Sequence, residues 1–184
     1  MLVRPFYRIK YIGRGNIPQK GALIICSNHI SYFDPIALGL GIRRRIYFMA
    51  KSEFFTDSSK FVRLFFTSCG VFPVVRNSSD RKAVSRAEEH LVRGRQIGIF
   101  PQGGIGSDRK AFSPKAGAAL LSVRTHTPVL PVSIYAEGKI RPFAKIIVRF
   151  GKPMIPPDDD SLKTARQFSR QIKEIITAQL GEEH

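Results

Sequence analysis

One histidine and one aspartate have the types and the spacing that general acid-base chemistry requires. His29 and Asp34 lie in the stretch Ser27–Pro35, which follows an apolar run and leads into a helical pattern. Across a turn, the Asp34 carboxylate could accept the Nδ1–H of His29 and leave Nε2 free as a base. The chain has no G-x-S-x-G motif that would supply a serine nucleophile. A substrate hydroxyl could take that place.

The pair by itself leaves other interpretations open. A histidine and an aspartate at this spacing often occur together by chance, and Asp34-Pro35 could simply cap a helix. A metal site is not expected, because the other three histidines are scattered and there is no HExxH motif or cysteine cluster. Cys26 lies in an apolar, strand-like run, which favours a buried thiol over a nucleophile.

Apolar, strand-like runs alternate with helical patterns along the chain, and these elements must position the pair. The alternation predicts an α/β fold, with a mostly parallel or mixed sheet flanked by helices in one layered domain over residues 1–184. The predicted strands are Phe6–Ile12, Ala22–Cys26, Ile46–Ala50, Val71–Val75, Ile97–Phe100, Val129–Tyr135 and Ala144–Phe150. The predicted helices are Pro35–Leu40, Ser59–Thr67, Asp80–Arg93, Pro114–Arg124 and Ser161–Leu180.

Two of these helices are amphipathic, so their patterns also predict which side chains face the core. In the helix that ends before Gly94, the predicted core positions are Ala83, Val84, Ala87 and Leu91. In the closing helix, they are Ala165, Phe168, Ile172, Ile175, Ile176 and Leu180.

Four blocks of sequence, in order, resemble the glycerolipid acyltransferases, the family of lysophosphatidic acid acyltransferases. The resemblance extends from about Phe6 to Phe150. Its blocks are Asn28-His29 with Asp34-Pro35 (the NHxxxxDP signature), Gly70–Arg76, Phe100–Gly104 (similar to FPEGTRS) and Val129–Val132, with Lys115–Ala118 similar to the KxGA that follows the third block.

The resemblance implies a glycerol-3-phosphate acyltransferase-like fold and the transfer of a fatty acyl group from a thioester to a lysophospholipid hydroxyl. The expected donor is acyl-CoA or an acidic acyl carrier protein, the expected acceptor is 1-acyl-glycerol-3-phosphate, and the expected product is phosphatidic acid. His29 would be the general base and Asp34 would orient it, with no metal or bound cofactor. The residues implied in substrate binding are Asn28, Arg76, Gln102, Gly103, Gly104 and Lys115.

The third block departs from the family pattern at three positions. Gln102 stands where the family has Glu, Gly104 where it has Thr, and Ile105 where it has the Arg thought to contact the acceptor phosphate. Gln102 keeps the shape of Glu without its charge, and Ile105 removes a bidentate donor. These exchanges leave open a related acyltransferase with a non-phosphate acceptor or with degraded activity.

The charge of the chain predicts an anionic partner. It has 30 Lys and Arg against 14 Asp and Glu, a formal charge of +16. No apolar run has transmembrane length, so we expect peripheral contact with an anionic membrane at its cytoplasmic side. Half of the 14 Phe fall between residues 48 and 72, beside Arg43–Arg45, which suits an interfacial surface, an acyl groove or ordinary core. A nucleic-acid partner is the alternative, but no nucleic-acid-binding motif supports it.

Overall fold

The structure is a computed structural model that describes residues 8–51, 59–60, 63–64, 70–74, 81–105, 115–138 and 143–182. Within these ranges the strands, numbered in chain order, are β1 Arg8–Ile12, β2 Leu23–Ser27, β3 Ile46–Lys51, β4 Val71–Val74, β5 Gln96–Ile99, β6 Val129–Ala136 and β7 Lys145–Phe150. The α-helices are α1 Asp34–Gly41, α2 Arg81–Val92, α3 Gly117–Thr125 and α4 Leu162–Gly181.

The strands form one mixed sheet, which confirms the predicted fold class. Their order across the sheet is β1-β7-β6-β2-β5-β3-β4. Neighbouring strands run parallel except for β6 and β7, which are antiparallel. The carboxyl ends of β6, β2, β5, β3 and β4 therefore lie together at one edge, called the carboxyl edge below. The loops after β2 and β5 leave this edge side by side, as in other sheets with parallel strands and helices on both faces.

The central strand β2 is apolar throughout because both faces of the sheet are covered. Leu23 and Ile25 belong to the core cluster on the α1 face, and Ile24 and Cys26 to the cluster under α2, α3 and α4. All five residues of β2 are buried. A strand buried on both faces reads as a continuous apolar run, not as an alternating one.

The predicted elements differ from the observed ones mainly at their ends, with one error in the packing of a helix. Val84 was predicted to face the core and is 42% exposed, whereas Ala83, Ala87 and Leu91 are buried. Residues four apart share one stripe of a helix, and Val84 falls outside the narrow stripe that these three form. The predicted helix Ser59–Thr67 lies mostly outside the described residues.

The long closing helix α4 follows its predicted pattern more closely. Its core positions Ala165, Phe168, Ile172 and Ile176 are buried, while Ile175 and Leu180 are half-buried. The Ser161 hydroxyl accepts the N–H of Thr164 and so caps the first turn. No helix in the described part of the chain has the length and apolarity needed to cross a membrane.

Candidate active site

His29 and Asp34 meet at the carboxyl edge, in the loop between β2 and α1. Nδ1 of His29 lies 2.7 Å from Oδ2 of Asp34. The imidazole therefore donates its Nδ1–H to the carboxylate and keeps the lone pair on Nε2. The Asp34 side chain is fully buried, and that of His29 is 15% exposed. This arrangement can take a proton at Nε2 and stabilise the imidazolium that results.

The Asp34 carboxylate is held by the loop that it closes. Its Oδ2 also accepts the main-chain N–H groups of Ile30 at 2.6 Å and Ser31 at 3.0 Å. The N–H of Asp34 in turn donates to the Ser31 carbonyl at 3.1 Å. Asp34 is the first residue of α1, and Pro35 follows in the first turn, where its fixed φ suits a helix start. The carboxylate thus points back into the loop and does not cap the helix.

Asn28 fixes the start of this loop to the neighbouring strand β6. Its side-chain amide donates to the Ile134 carbonyl at 2.8 Å and accepts the Ile134 N–H at 2.7 Å. Asn28 is buried. These are the contacts of a residue that positions His29, and the predicted contact of Asn28 with substrate stays a prediction.

Two aromatic rings support the imidazole from the side of the sheet. The His29 ring stacks on Phe100 with the centroids 4.1 Å apart, and Phe100 stacks on Phe48 at 5.8 Å. Phe48 lies against Gly98, where a Cβ atom would fall 2.2 Å from the phenyl ring. The sequence patterns did not predict the packing of Phe48 against Gly98 behind the imidazole. The pattern that could have indicated this packing is the glycine inside a strand, because such a glycine often marks a place where another group comes close to the backbone.

The third sequence block contacts the histidine loop directly. Oε1 of Gln102 accepts the main-chain N–H of His29 at 3.0 Å. Gly103 has φ +77°, and its N–H donates to the Phe100 carbonyl at 3.0 Å. A positive φ favours glycine, which explains why a glycine stands at position 103. The turn from Phe100 to Gly103 places Gln102 beside His29.

The remaining predicted binding residues are Lys115, Gly104 and Arg76. Lys115 lies next to the third block, because its N–H donates to the Pro101 carbonyl at 2.9 Å, and its side chain is exposed. Gly104 is exposed with open space around it. Arg76 lies outside the described residues, and its role stays a prediction.

The arginine run that follows α1 lies at the other edge of the sheet. Arg43–Arg45 precede β3, at the end of that strand opposite to the carboxyl edge. Arg44 donates to the carbonyls of Gly21 at 2.7 Å and Gly94 at 2.8 Å. Its guanidinium therefore joins the loops before β2 and β5, and the run does not flank His29.

Cys26 is confirmed as a buried thiol close to the site. Its side chain is 1% exposed, and burial raises the pKa of the thiol to about 12. The thiolate is therefore scarce at neutral pH, which argues against Cys26 as a nucleophile. Among the described residues, no group of three or more His, Cys, Asp or Glu side chains could hold a metal ion.

Known proteins match the chain over most of its length. The family model for acyltransferases matches residues 8–135. The 1-acyl-sn-glycerol-3-phosphate acyltransferase of Borreliella burgdorferi is 33% identical over 181 residues, which cover 94% of this chain and 70% of that protein. The enzyme of the same name from Bacillus subtilis is 25% identical over 184 residues, covering 91% of this chain and 87% of that protein.

A solved structure shows the same architecture. The crystal structure of the 1-acyl-sn-glycerophosphate (LPA) acyltransferase, PlsC, from Thermotoga maritima superposes with a TM-score of 0.75 at 26% identity, over 95% of this chain and 71% of that one. The family model and the relatives confirm the family that the four sequence blocks resemble. The chain therefore belongs to the acyltransferase family, the glycerolipid acyltransferases that its sequence blocks resemble, and it is an acyltransferase.

Proposed function

We propose that this acyltransferase moves a fatty acyl group from a thioester to the free hydroxyl of 1-acyl-glycerol-3-phosphate and so makes phosphatidic acid. The names of its relatives support this acceptor. The observation that carries the proposal is the 2.7 Å contact between His29 Nδ1 and Asp34 Oδ2. Because this contact uses Nδ1, Nε2 is left to act on the acceptor hydroxyl.

In the proposed reaction, His29 is a base and then an acid. Nε2 takes the hydroxyl proton while the acceptor oxygen attacks the carbonyl carbon of the thioester. The tetrahedral intermediate collapses, the C–S bond breaks, and the imidazolium returns the proton to the leaving sulfur. The products are the acylated lipid and a free thiol. Asp34 stabilises the imidazolium between the two proton transfers and holds the ring in one tautomer.

The supports around His29 suit this role because catalysis depends on orientation. The ring is held at Nδ1 by Asp34 and on one face by Phe100, with the centroids 4.1 Å apart. Its main chain is held by Gln102 at 3.0 Å. The orientation of Nε2 is therefore fixed before the acceptor hydroxyl binds.

The acyl donor in this proposal is acyl-CoA or an acyl carrier protein. Both present the acyl group as a thioester, and both are anionic, CoA through its phosphates and the carrier through acidic side chains. A formal charge of +16 favours encounter with either of them.

We also propose that the carboxyl edge contacts the cytoplasmic face of an anionic membrane, where the acceptor lies. Tyr32 is 74% exposed in the loop after His29, and Ile105 is 39% exposed at the end of the third block. The exposed Lys115 lies beside that block. Exposed apolar side chains beside a cation suit an interface with anionic headgroups.

The test is product analysis with vesicles that contain lysophosphatidic acid, supplied with palmitoyl-CoA or palmitoyl-acyl carrier protein. The wild type is expected to form phosphatidic acid, and His29→Ala to lose at least about 10²-fold in rate. His126→Asn is the matched control, because His126 is exposed outside the site and Asn tolerates its φ of 49°. Full activity in His29→Ala would contradict the proposed mechanism.

A second acceptor class is favoured by one observation at the third block. Ile105 is 39% exposed at the position where the family has an arginine for the acceptor phosphate. A lysolipid without a free phosphate is therefore included in the same assay. Faster acylation of that lipid than of lysophosphatidic acid would identify the enzyme as an acyltransferase with a non-phosphate acceptor.

A further inference from the structure

The Gln102 side chain joins the two loops that build the site. It reaches from the loop after β5 to the loop after β2, where Oε1 lies 3.0 Å from the main-chain nitrogen of His29. The main-chain nitrogen carries a hydrogen, so the amide atom that faces it must be the acceptor oxygen. The contact with His29 therefore fixes the orientation of the Gln102 amide, with Oε1 facing the His29 N–H and Nε2 on the other side of the group.

The Nε2 atom is the part of Gln102 that the fold leaves unused. It makes no hydrogen bond to any residue in the described part of the chain, and it is not among the buried polar atoms that lack a partner. Gln102 is half-buried, so this nitrogen keeps some exposed surface on the same amide that contacts His29. An amide nitrogen carries two hydrogens and no lone pair for acceptance, so it can only donate.

We propose that Nε2 of Gln102 donates a hydrogen bond to an anionic oxygen of the bound substrate, while Oε1 holds the His29 loop. This inference rests on the proposed function. The reaction offers two such oxygens close to His29. One is the oxyanion that forms on the thioester carbonyl, and the other belongs to the acceptor phosphate.

Two departures of the third sequence block from the family pattern agree with a neutral hydrogen-bond donor at position 102. The family pattern has a negative Glu at position 102 and a positive Arg at position 105, whereas this chain has Gln102 and Ile105. One negative and one positive charge are absent together, so the net charge of the block is the same. A carboxylate at 102 would repel an anionic oxygen unless a nearby cation offset it. The neutral amide needs no such cation, which fits the exposed Ile105.

The decisive variant is Gln102→Glu, because it separates the acceptor function of the amide oxygen from the donor function of the amide nitrogen. Glu keeps an oxygen that can accept the His29 N–H, and it replaces the donor with a second acceptor. A role limited to holding the loop predicts no loss of activity. A role as donor predicts a loss of about 10²-fold with unchanged thermal unfolding. Gln102→Met, which removes both functions at similar size, is expected to lose at least as much activity.

The double variant Gln102→Glu/Ile105→Arg provides the matched control. It rebuilds the charged pair of the family pattern, and it is expected to recover part of the activity that Gln102→Glu loses. A loss in kcat alone assigns the contact to the oxyanion, and a rise in KM for lysophosphatidic acid, with little change for a lysolipid lacking the phosphate, assigns it to the acceptor phosphate.

Rates for Gln102→Glu equal to those of the wild type would overturn the inference and leave the proposed function intact. A wild type that forms no acylated product with any donor or acceptor, measured in the same assay, would contradict both.

Discussion

The side chain of Asn28 and the main chain of Ile134 bind each other in both directions, with distances of 2.8 and 2.7 Å. The last regular pair between β2 and β6 is Ser27 with Val132. The Asn28 amide thus continues the pairing of the two strands after the main chain of β2 has left the sheet. The main chain at His29, the next residue, is therefore anchored to β6 through Asn28.

Replacing Asn28 with Ala should destabilise the fold. The change leaves the buried N–H and carbonyl of Ile134 without their partner, at about 1–3 kcal/mol for each group. Chemical denaturation measures the loss in the free energy of unfolding. Asn16→Ala is the control, because that side chain makes a single half-buried bond to the Phe150 carbonyl at 2.9 Å. A loss for Asn28→Ala no larger than that for Asn16→Ala would contradict the prediction.

Replacing Asp34 with Asn should reduce the acyl-transfer rate by about 10²–10⁴-fold with little change in the circular dichroism of the protein. Asn keeps the size of the side chain but loses the charge that stabilises the imidazolium. Asp159→Asn is the matched control, since Asp159 is an exposed carboxylate that binds Ser161 and Thr164 at the start of α4. The control should keep full activity, and equal rates in the two variants would rule out the role of Asp34.

The position of the His29–Asp34 pair was predictable from local sequence. The apolar run of β2 identifies a strand buried on both faces, and Pro35 marks the start of α1. The loop between a buried strand and a helix is the usual place for catalytic groups in an α/β fold. The turn chemistry of Ser27–Pro35 is local, so the spacing of His29 and Asp34 allowed their contact, and the resemblance of the surrounding residues to the NHxxxxDP signature favoured it over a helix cap.

The supports of the site were not predictable in the same way, because they come from distant parts of the chain. Gln102 contacts a residue 73 positions earlier, and Asn28 contacts one 106 positions later. These contacts depend on the strand order, which places β2 between β5 and β6. Local patterns predict the strands but do not determine their neighbours. Motif resemblance identified Gln102 and Asn28 without showing what they touch.

The imidazole of His90 should make stability fall at acid pH. Burial and then the nearby Arg95 lower the pKa of His90 below its ordinary value of 6.5, and Arg93 and Arg45 add to the effect against Glu89. The unfolded chain therefore binds a proton at His90 more readily than the folded one. The stabilisation is present above about pH 6.5 and is lost as the pH falls through the folded pKa.

The variant His90→Gln isolates this contribution. Denaturation at about pH 7.5 and about pH 5 should show a smaller loss of unfolding free energy in the variant than in the wild type. The comparison cancels the other titrating groups that the two proteins share. An equal or larger loss in the variant would show that His90 does not contribute.

The thiol of Cys26 should resist alkylation while the protein is folded. Its pKa is raised to about 12 by burial, so the reactive thiolate is scarce at about pH 8. A Cys69→Ser background leaves Cys26 as the remaining cysteine. Mass spectrometry after iodoacetamide treatment should find no label on the folded protein and full label in guanidinium. Rapid labelling of the folded protein would contradict the burial of Cys26.

Gly98 should control both stability and activity through the ring stack behind His29. The Cβ atom of Gly98→Ala would fall 2.2 Å from the Phe48 ring, so the ring must move. Overpacking of this kind typically costs about 1–3 kcal/mol in the free energy of unfolding. Because Phe48 stacks on Phe100 and Phe100 stacks on His29, the acyl-transfer rate should fall as well.

Two further variants test whether the effect travels through the rings. Gly39→Ala is the control for the substitution itself, since nothing lies within 4 Å of its Cβ position in α1, and it should leave the rate unchanged. In Gly98→Ala/Phe48→Leu the smaller side chain makes room for the new methyl group, so stability should recover. The rate should recover less than the stability does, because Phe100 then lacks the ring that it stacks on. Complete recovery of both would mean that the Phe48 ring supports the core but not the orientation of His29.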